Sequence, residues 1–92
     1  MDRRIYKFPF EVHDEVKMPM PKGAEILAFE EAEAGLLVLW AIVDTHDTEL
    51  EDRWFVIRGT GHHLDPGLNS GTYLATTNNP RTPYVWHIFE RK

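Results

Sequence analysis

The stretch GTGHHLDPG, residues 59–67, concentrates the side chains of this chain that could do chemistry. Gly59, Thr60 and Gly61 can present consecutive backbone N–H groups as a cradle for an anion. His62, His63 and Asp65 offer two imidazoles and a carboxylate, ligand types that zinc accepts. Neither reading finds its supporting context. A dinucleotide-binding turn needs a third glycine with a helix after it, and no Walker pattern is present. Adjacent histidines on an extended segment point to opposite sides, so both reach one ion only if the chain turns between them. The simpler expectation is a strand end. Gly59–Gly61 form a bulge or turn, His62 packs or hydrogen-bonds locally, and Asp65-Pro66-Gly67 makes a tight turn. No cofactor or resident metal is expected. What remains for binding is a rim of Gly59, Thr60, Gly61, His62 and His63.

The other titratable cluster is acidic. His46 lies between Asp44 and Asp47, followed by Glu49, Glu51 and Asp52. Charge runs of this kind usually face water, so a solvated loop with at most one helical turn is expected over DTHDTELED. Ser70 and several threonines carry hydroxyls, but no G-x-S-x-G elbow surrounds any of them. With no nucleophile placed beside a base, the chain reads as a non-enzyme.

These residues must be positioned by strands, because the apolar pattern alternates with period two. LLVLWAIV, residues 36–43, is apolar on both alternating sets, the mark of a central strand covered on both sides. EILAFEE precedes it, and Gly35 supplies the positive φ of a hairpin turn between them. RWFVIRG, GTYLATT and YVWHIFE read as further strands. In the last, Tyr84, Trp86 and Ile88 share one face. RIYKF is a strand stopped by Pro9, with EVKM pairing back onto it. MPMPKGA is a proline-stiffened connector that turns at Gly23. The expected fold is a single all-β domain of six or seven short antiparallel strands, a small sandwich or a partly open barrel. In a simple meander the AEAG turn and the GTGHH loop share one end. DTHDTELED and TTNNPRTP share the other.

Composition narrows the function classes. At 92 residues one compact core is within reach and a second is not. The absence of cysteine excludes disulfides and thiolate chemistry. The longest apolar run, eight residues, is too short to span a bilayer, and MDRRIYKFPF lacks the apolar core of a signal peptide. A net charge of −5 with no basic face argues against direct nucleic-acid binding and favours a basic protein partner. Eleven aromatic residues are more than so small a core can bury, so some must be exposed. Tyr84 and Tyr73, beside loops, are the expected surface aromatics, and exposed aromatics make binding hot spots. Open sheet edges and surplus aromatics also make a homodimer a natural expectation.

The strings YKFPFEV, MPKGAEILAFE, LWAIVD, FVIRGTGHHL and HIFE, in that order, resemble a family of small bacteriophage and prophage proteins of no established activity. The resemblance runs from Tyr6 to Glu90, with THDTELED as a longer acidic insert. It implies a phage-encoded accessory protein in the bacterial cytoplasm that binds a host protein or complex, as a counter-defence inhibitor does. In that setting Glu49, Glu51, Asp52 and Tyr84 join the rim at Gly59–His63 as candidate contacts. Sequestration of an anionic nucleotide and a role in virion assembly are the alternative readings.

Overall fold

A computed structural model describes residues 1–46, 49–64 and 71–91. Seven strands are present among the described residues: β1 (Arg3–Glu11), β2 (Glu15–Pro21), β3 (Glu25–Glu33), β4 (Leu36–Asp44), β5 (Leu50–Gly59), β6 (Thr72–Thr76) and β7 (Trp86–Glu90). They form two antiparallel sheets, a three-stranded sheet A in the order β1-β4-β3 and a four-stranded sheet B in the order β2-β5-β7-β6. Each sheet keeps two edges, so the fold is a sandwich and not a closed barrel. No helix occurs among the described residues.

The alternation of each strand sets the core. Leu37, Leu39, Ala41 and Val43 of β4 pack against Phe55 and Ile57 of β5, Ile88 of β7 and Met18 and Met20 of β2. The hairpin between β3 and β4 forms as expected, with Gly35 at φ 83°. No side-chain-bearing residue adopts that conformation cheaply.

The strand order departs from a simple meander. β2 pairs with β5 in sheet B and not with β1, because the chain changes sheets at Val12–Asp14. β1 runs through Pro9, and β2 runs through Pro19 and Pro21, where a connector was expected. Both are edge strands, and an edge strand tolerates a residue that cannot donate a ladder bond. The alternation places Met18 and Met20, each followed by a proline, in the core. The end of the acidic insert, Leu50–Asp52, is the start of β5 and not a loop. Because β5 and β6 both run antiparallel to β7, residues 77–85 lie at the Gly59 end, where Thr60 N–H donates to Val85 O at 3.1 Å. The AEAG turn lies at that end too, as expected, so three loops meet there. Finally, β4 is central but packed against the other sheet on one side only; on its second face Val38 is 4% exposed and Trp40 and Ile42 are half-buried. Val38, Trp40 and Ile42 lie outside the core cluster, on the outer face of sheet A.

Two polar clasps brace the sandwich, one at each end: the first joins the two sheets, and the second ties neighbouring strands of sheet B to the β2–β3 connection. At the first, Glu31 of β3 is 2% exposed. Its carboxylate accepts bonds from Thr82 Oγ1 at 2.5 Å, Gly35 N–H at 3.1 Å and Trp86 Nε1 at 3.2 Å. Asn79 Nδ2 donates to its carbonyl at 2.7 Å. Burial pushes the Glu31 carboxyl up, but these donors outweigh it and hold it below its ordinary value of 4.5. At the other end Arg53 forms a two-pronged pair with Glu90, at 2.6 and 2.7 Å, and Arg53 Nη1 donates to Ala24 O at 2.5 Å. Both side chains of the pair are mostly buried.

Two stability predictions follow from the clasps. Glu31→Gln should lower unfolding stability at pH 7 by about 1–3 kcal/mol, the worth of hydrogen bonds to a charged acceptor. A carboxyl whose folded value is lowered contributes its full stability above the unfolded value, and loses it as pH falls through the folded one. The gap between the two proteins should therefore close in acid, which urea unfolding at pH 7 and pH 3 would read. Arg53→Met strands the Glu90 charge and should cost about 3 kcal/mol, with Arg53→Met/Glu90→Leu recovering much of it in the same assay.

Candidate functional site

The Gly59 end is built as a closed turn. Gly59 pairs with Trp86, and a Cβ on it would sit 2.8 Å from His62 Cε1. The His62 ring folds back over it. His62 Nδ1 accepts from Gly59 N–H at 3.2 Å, and His62 N–H donates to Gly59 O at 3.0 Å. The same ring meets Trp86 edge-on at 6.4 Å. Gly61 completes the turn at φ 86°. The N–H groups of Gly59, Thr60 and His62 are thus spent on the chain itself, which leaves little of an anion cradle. His63 is exposed beside this turn, while Asp65, Pro66 and Gly67 lie outside the described residues. Among the described residues, no three histidine or carboxylate side chains are grouped to hold a metal ion.

A residue that sequence spacing could not place, His87, joins this end through the register of β7. Thr60 Oγ1 lies 2.8 Å from His87 Nε2, and Thr76 Oγ1 lies 2.9 Å from His87 Nδ1. Tyr73 OH continues the row, 2.6 Å from Thr76 Oγ1. Thr60 and His87 of this row, with Arg58, Leu64 and Phe89, border a hollow of 270 Å³ on the outer face of sheet B. Thr60 and His87 make a hydroxyl–imidazole pair. Hydroxyls occupy both ring nitrogens, so no carboxylate orients the ring or stabilises an imidazolium. The row is a cross-strand network that fixes the outer face. Tyr84 stands nearby, 59% exposed and 5.6 Å from the Trp86 ring. Tyr73 is 56% exposed, so both expected surface aromatics are at the surface.

The opposite end holds the larger opening. β7 pairs with β5 only over Phe55–Gly59. The first half of β5 therefore has β2 on one side and no strand on the other. Beside it lies a groove of 660 Å³, lined by Glu15, Glu51, Asp52, Trp54, Glu90, Arg53, Arg91 and the Gly23–Ala24 turn. Its lining carries four carboxylates against two guanidinium groups. Trp54 is 43% exposed there, with Lys17 Nζ over its ring at 5.9 Å. Within the lining, Arg91 pairs with Glu15 at 3.2 Å, and Glu51 accepts from Gly23 N–H at 3.2 Å. Lys17 stands 4.0 Å from Asp52. These surface contacts are exposed and individually weak.

The candidate residues thus separate into two groups. Glu51 and Asp52 line the groove; Glu49 lies just off it, its carboxylate 3.5 Å from Lys22 Nζ. Gly59, Thr60, Gly61 and His62 line the hollow at the far end. Asp44 serves neither. Its carboxylate accepts from His46 N–H at 3.0 Å and Asp2 N–H at 3.2 Å, bonds that hold it below its usual value. Asp47 lies outside the described residues. Sequence reading missed Trp54, Glu15 and Arg91 as groove residues. They meet only through the β2–β5 register and the early stop of β7.

No curated protein and no solved structure matches this chain. A family model does, described as a domain of unknown function (DUF7352), and it spans residues 1–92. The whole chain is therefore a member of the DUF7352 family.

Proposed function

We propose that this protein is a non-enzymatic interaction protein that takes an extended, basic segment of a partner protein into the groove beside β5. The observation that carries the reading is the coincidence of three features in one opening. Among the described residues Leu50–Arg53 of β5 have no strand on their groove side, the Trp54 carbonyl there already accepting from Arg91 N–H at 2.9 Å. Carboxylates of Glu15, Glu51 and Asp52 border it, and Trp54 stands exposed within reach. An extended peptide adds to a free strand edge through backbone bonds, while side-chain sites give specificity. Arginine and lysine side chains suit both the carboxylates and the face of an indole. Lys17 already occupies the Trp54 ring in this way, so an incoming cation replaces an exposed, weakly held one.

The resemblance to small phage and prophage proteins supports a host protein or complex in the bacterial cytoplasm as the partner, with counter-defence as the role served. The net charge of −5 supports a basic protein surface over nucleic acid. The anionic-nucleotide reading has less support, because the N–H groups at Gly59, Thr60 and His62 are used internally.

A lysine- and arginine-rich peptide titrated against the protein by calorimetry tests the groove. Binding should weaken as salt is raised. Glu51→Lys/Asp52→Lys should weaken it roughly tenfold or more, and Trp54→Ala should have a loss of similar size. Unchanged binding by both variants, or equal binding of an acidic peptide, would remove the groove from the reading.

A further inference from the structure

The outer face of sheet A is apolar and no second sheet packs on it among the described residues, although Val38 itself is only 4% exposed and the Arg3–Glu25 pair spans the strip at Ile42. Val38, Trp40 and Ile42 of β4 point there, flanked by Ile5 and Pro9 of β1 and Ala28 of β3. None of them belongs to the core cluster or packs on it. Ile5 is 60% exposed, and Leu27, in the β3 bulge, 46%. A monomer rarely leaves an apolar face of this kind open to water. The two rims differ in charge over part of their length. Arg3 and Lys7 stand on the β1 side and Glu25 and Glu30 on the β3 side, with Arg3 paired to Glu25, whereas at the Leu36 end both rims are acidic, with Glu11 and Glu33.

We propose that this face binds a second copy of the same chain, sheet on sheet, about a two-fold axis parallel to β4. The charge at the middle of the face, around Lys7, favours this axis. Rotation about an axis along β4 keeps every residue at its height and exchanges the two rims. Lys7 stands level with Trp40, while Glu25 and Glu30 stand level with Ile42 and Val38. Lys7 therefore falls between Glu25 and Glu30 of the partner subunit, and the reverse contact forms by symmetry, while at the Leu36 end Glu11 meets Glu33 of the partner subunit, a like-charge contact that weakens the pair. An axis across the strands at Trp40 would instead set Lys7 on Lys7 of the partner subunit, which is unfavourable. Trp40 lies near the centre of the face, where an aromatic anchor is worth most. Its indole N–H is already satisfied by Glu30 Oε1 at 3.2 Å, so covering it leaves no stranded donor.

The size of the face sets the strength. Three strands of nine residues, about 4.8 Å apart and rising about 3.3 Å per residue, give a patch of roughly 14 by 30 Å. Two such patches bury on the order of 1,000 Å², at the low end for a specific interface. The dimer should form with a dissociation constant on the order of ten to a hundred micromolar.

Sedimentation equilibrium of the full chain from micromolar to millimolar concentration tests this. A reversible monomer–dimer equilibrium is expected, and Ile5→Glu should weaken it at least tenfold while leaving the thermal midpoint in place. Lys7→Glu alone and Glu30→Lys alone should each weaken it roughly fivefold to tenfold at low salt. An equimolar mixture of those two single variants should regain association, because each then meets its opposite across the interface. A monomer throughout, or a dimer indifferent to Ile5→Glu, would overturn the proposal. Loss in the single variants without recovery in the mixture would overturn the axis.

Discussion

The sandwich depends on Glu31. It is a carboxylate taken out of water, and such a group is tolerated only when its acceptor sites are filled. Thr82, Gly35 and Trp86 fill them, and each comes from a different part of the chain. The hairpin turn of sheet A and the loop entering β7 of sheet B are therefore anchored on one side chain. Residues 77–85 make few regular backbone bonds of their own. Their path is set by Asn79 donating to the Glu31 carbonyl and Thr82 to its carboxylate. Remove the charge and the loop loses its reason to lie where it does.

The Arg53–Glu90 pair plays the matching part at the far end, with a different consequence. Because β7 stops at Glu90, Arg53 of β5 can reach across to it. Because the pairing ends with Arg91 N–H on the Trp54 carbonyl, Leu50–Arg53 of β5 also lack a strand on that side. One short strand thus supplies both the second clasp and the opening beside it. The Glu31 end is sealed by three loops, whereas the Arg53 end stays open around a fixed ion pair. That asymmetry is why the groove, and not the glycine-rich turn, is the place with room for an extended chain.

Much of the fold could be read from residue order, because strand alternation is a local property. LLVLWAIV with Gly35 before it was enough to give the β3–β4 hairpin, and the face shared by Trp86 and Ile88 was legible in YVWHIFE. Pairing between distant strands was not legible. Pro9, Pro19 and Pro21 read as strand breaks because the rule against proline applies to central strands, and nothing local marks β1 and β2 as edges. The two-sided apolar pattern of β4 promised cover on both faces, but the chain supplies cover on one. The candidate site suffered most from this limit. GTGHH looked chemical because its residues are adjacent in sequence, yet its histidine serves to close the turn. Glu51, Trp54, Glu15 and Arg91 gather only once the register of β2 on β5 is known.

The unread side of β4 is the more informative failure. A chain of this length exposes a large share of its surface, and it cannot build a third layer over a three-stranded sheet. Sequence patterning still made Val38, Trp40 and Ile42 apolar, at some risk of non-specific association. The chain limits that risk with charges. Arg3 reaches across Ile42 to Glu25, and Glu30 holds the Trp40 indole, so a polar frame crosses the apolar strip. A charged frame disfavours neighbours that set like charges together, and Lys7 opposite Glu25 and Glu30 favours one that aligns the strands. The acidic groove and the apolar face lie on different sheets, so a partner on one leaves the other accessible. A pair of chains joined through sheet A would carry two grooves facing outward, and a repeated basic target would then be held with an avidity that neither groove has alone.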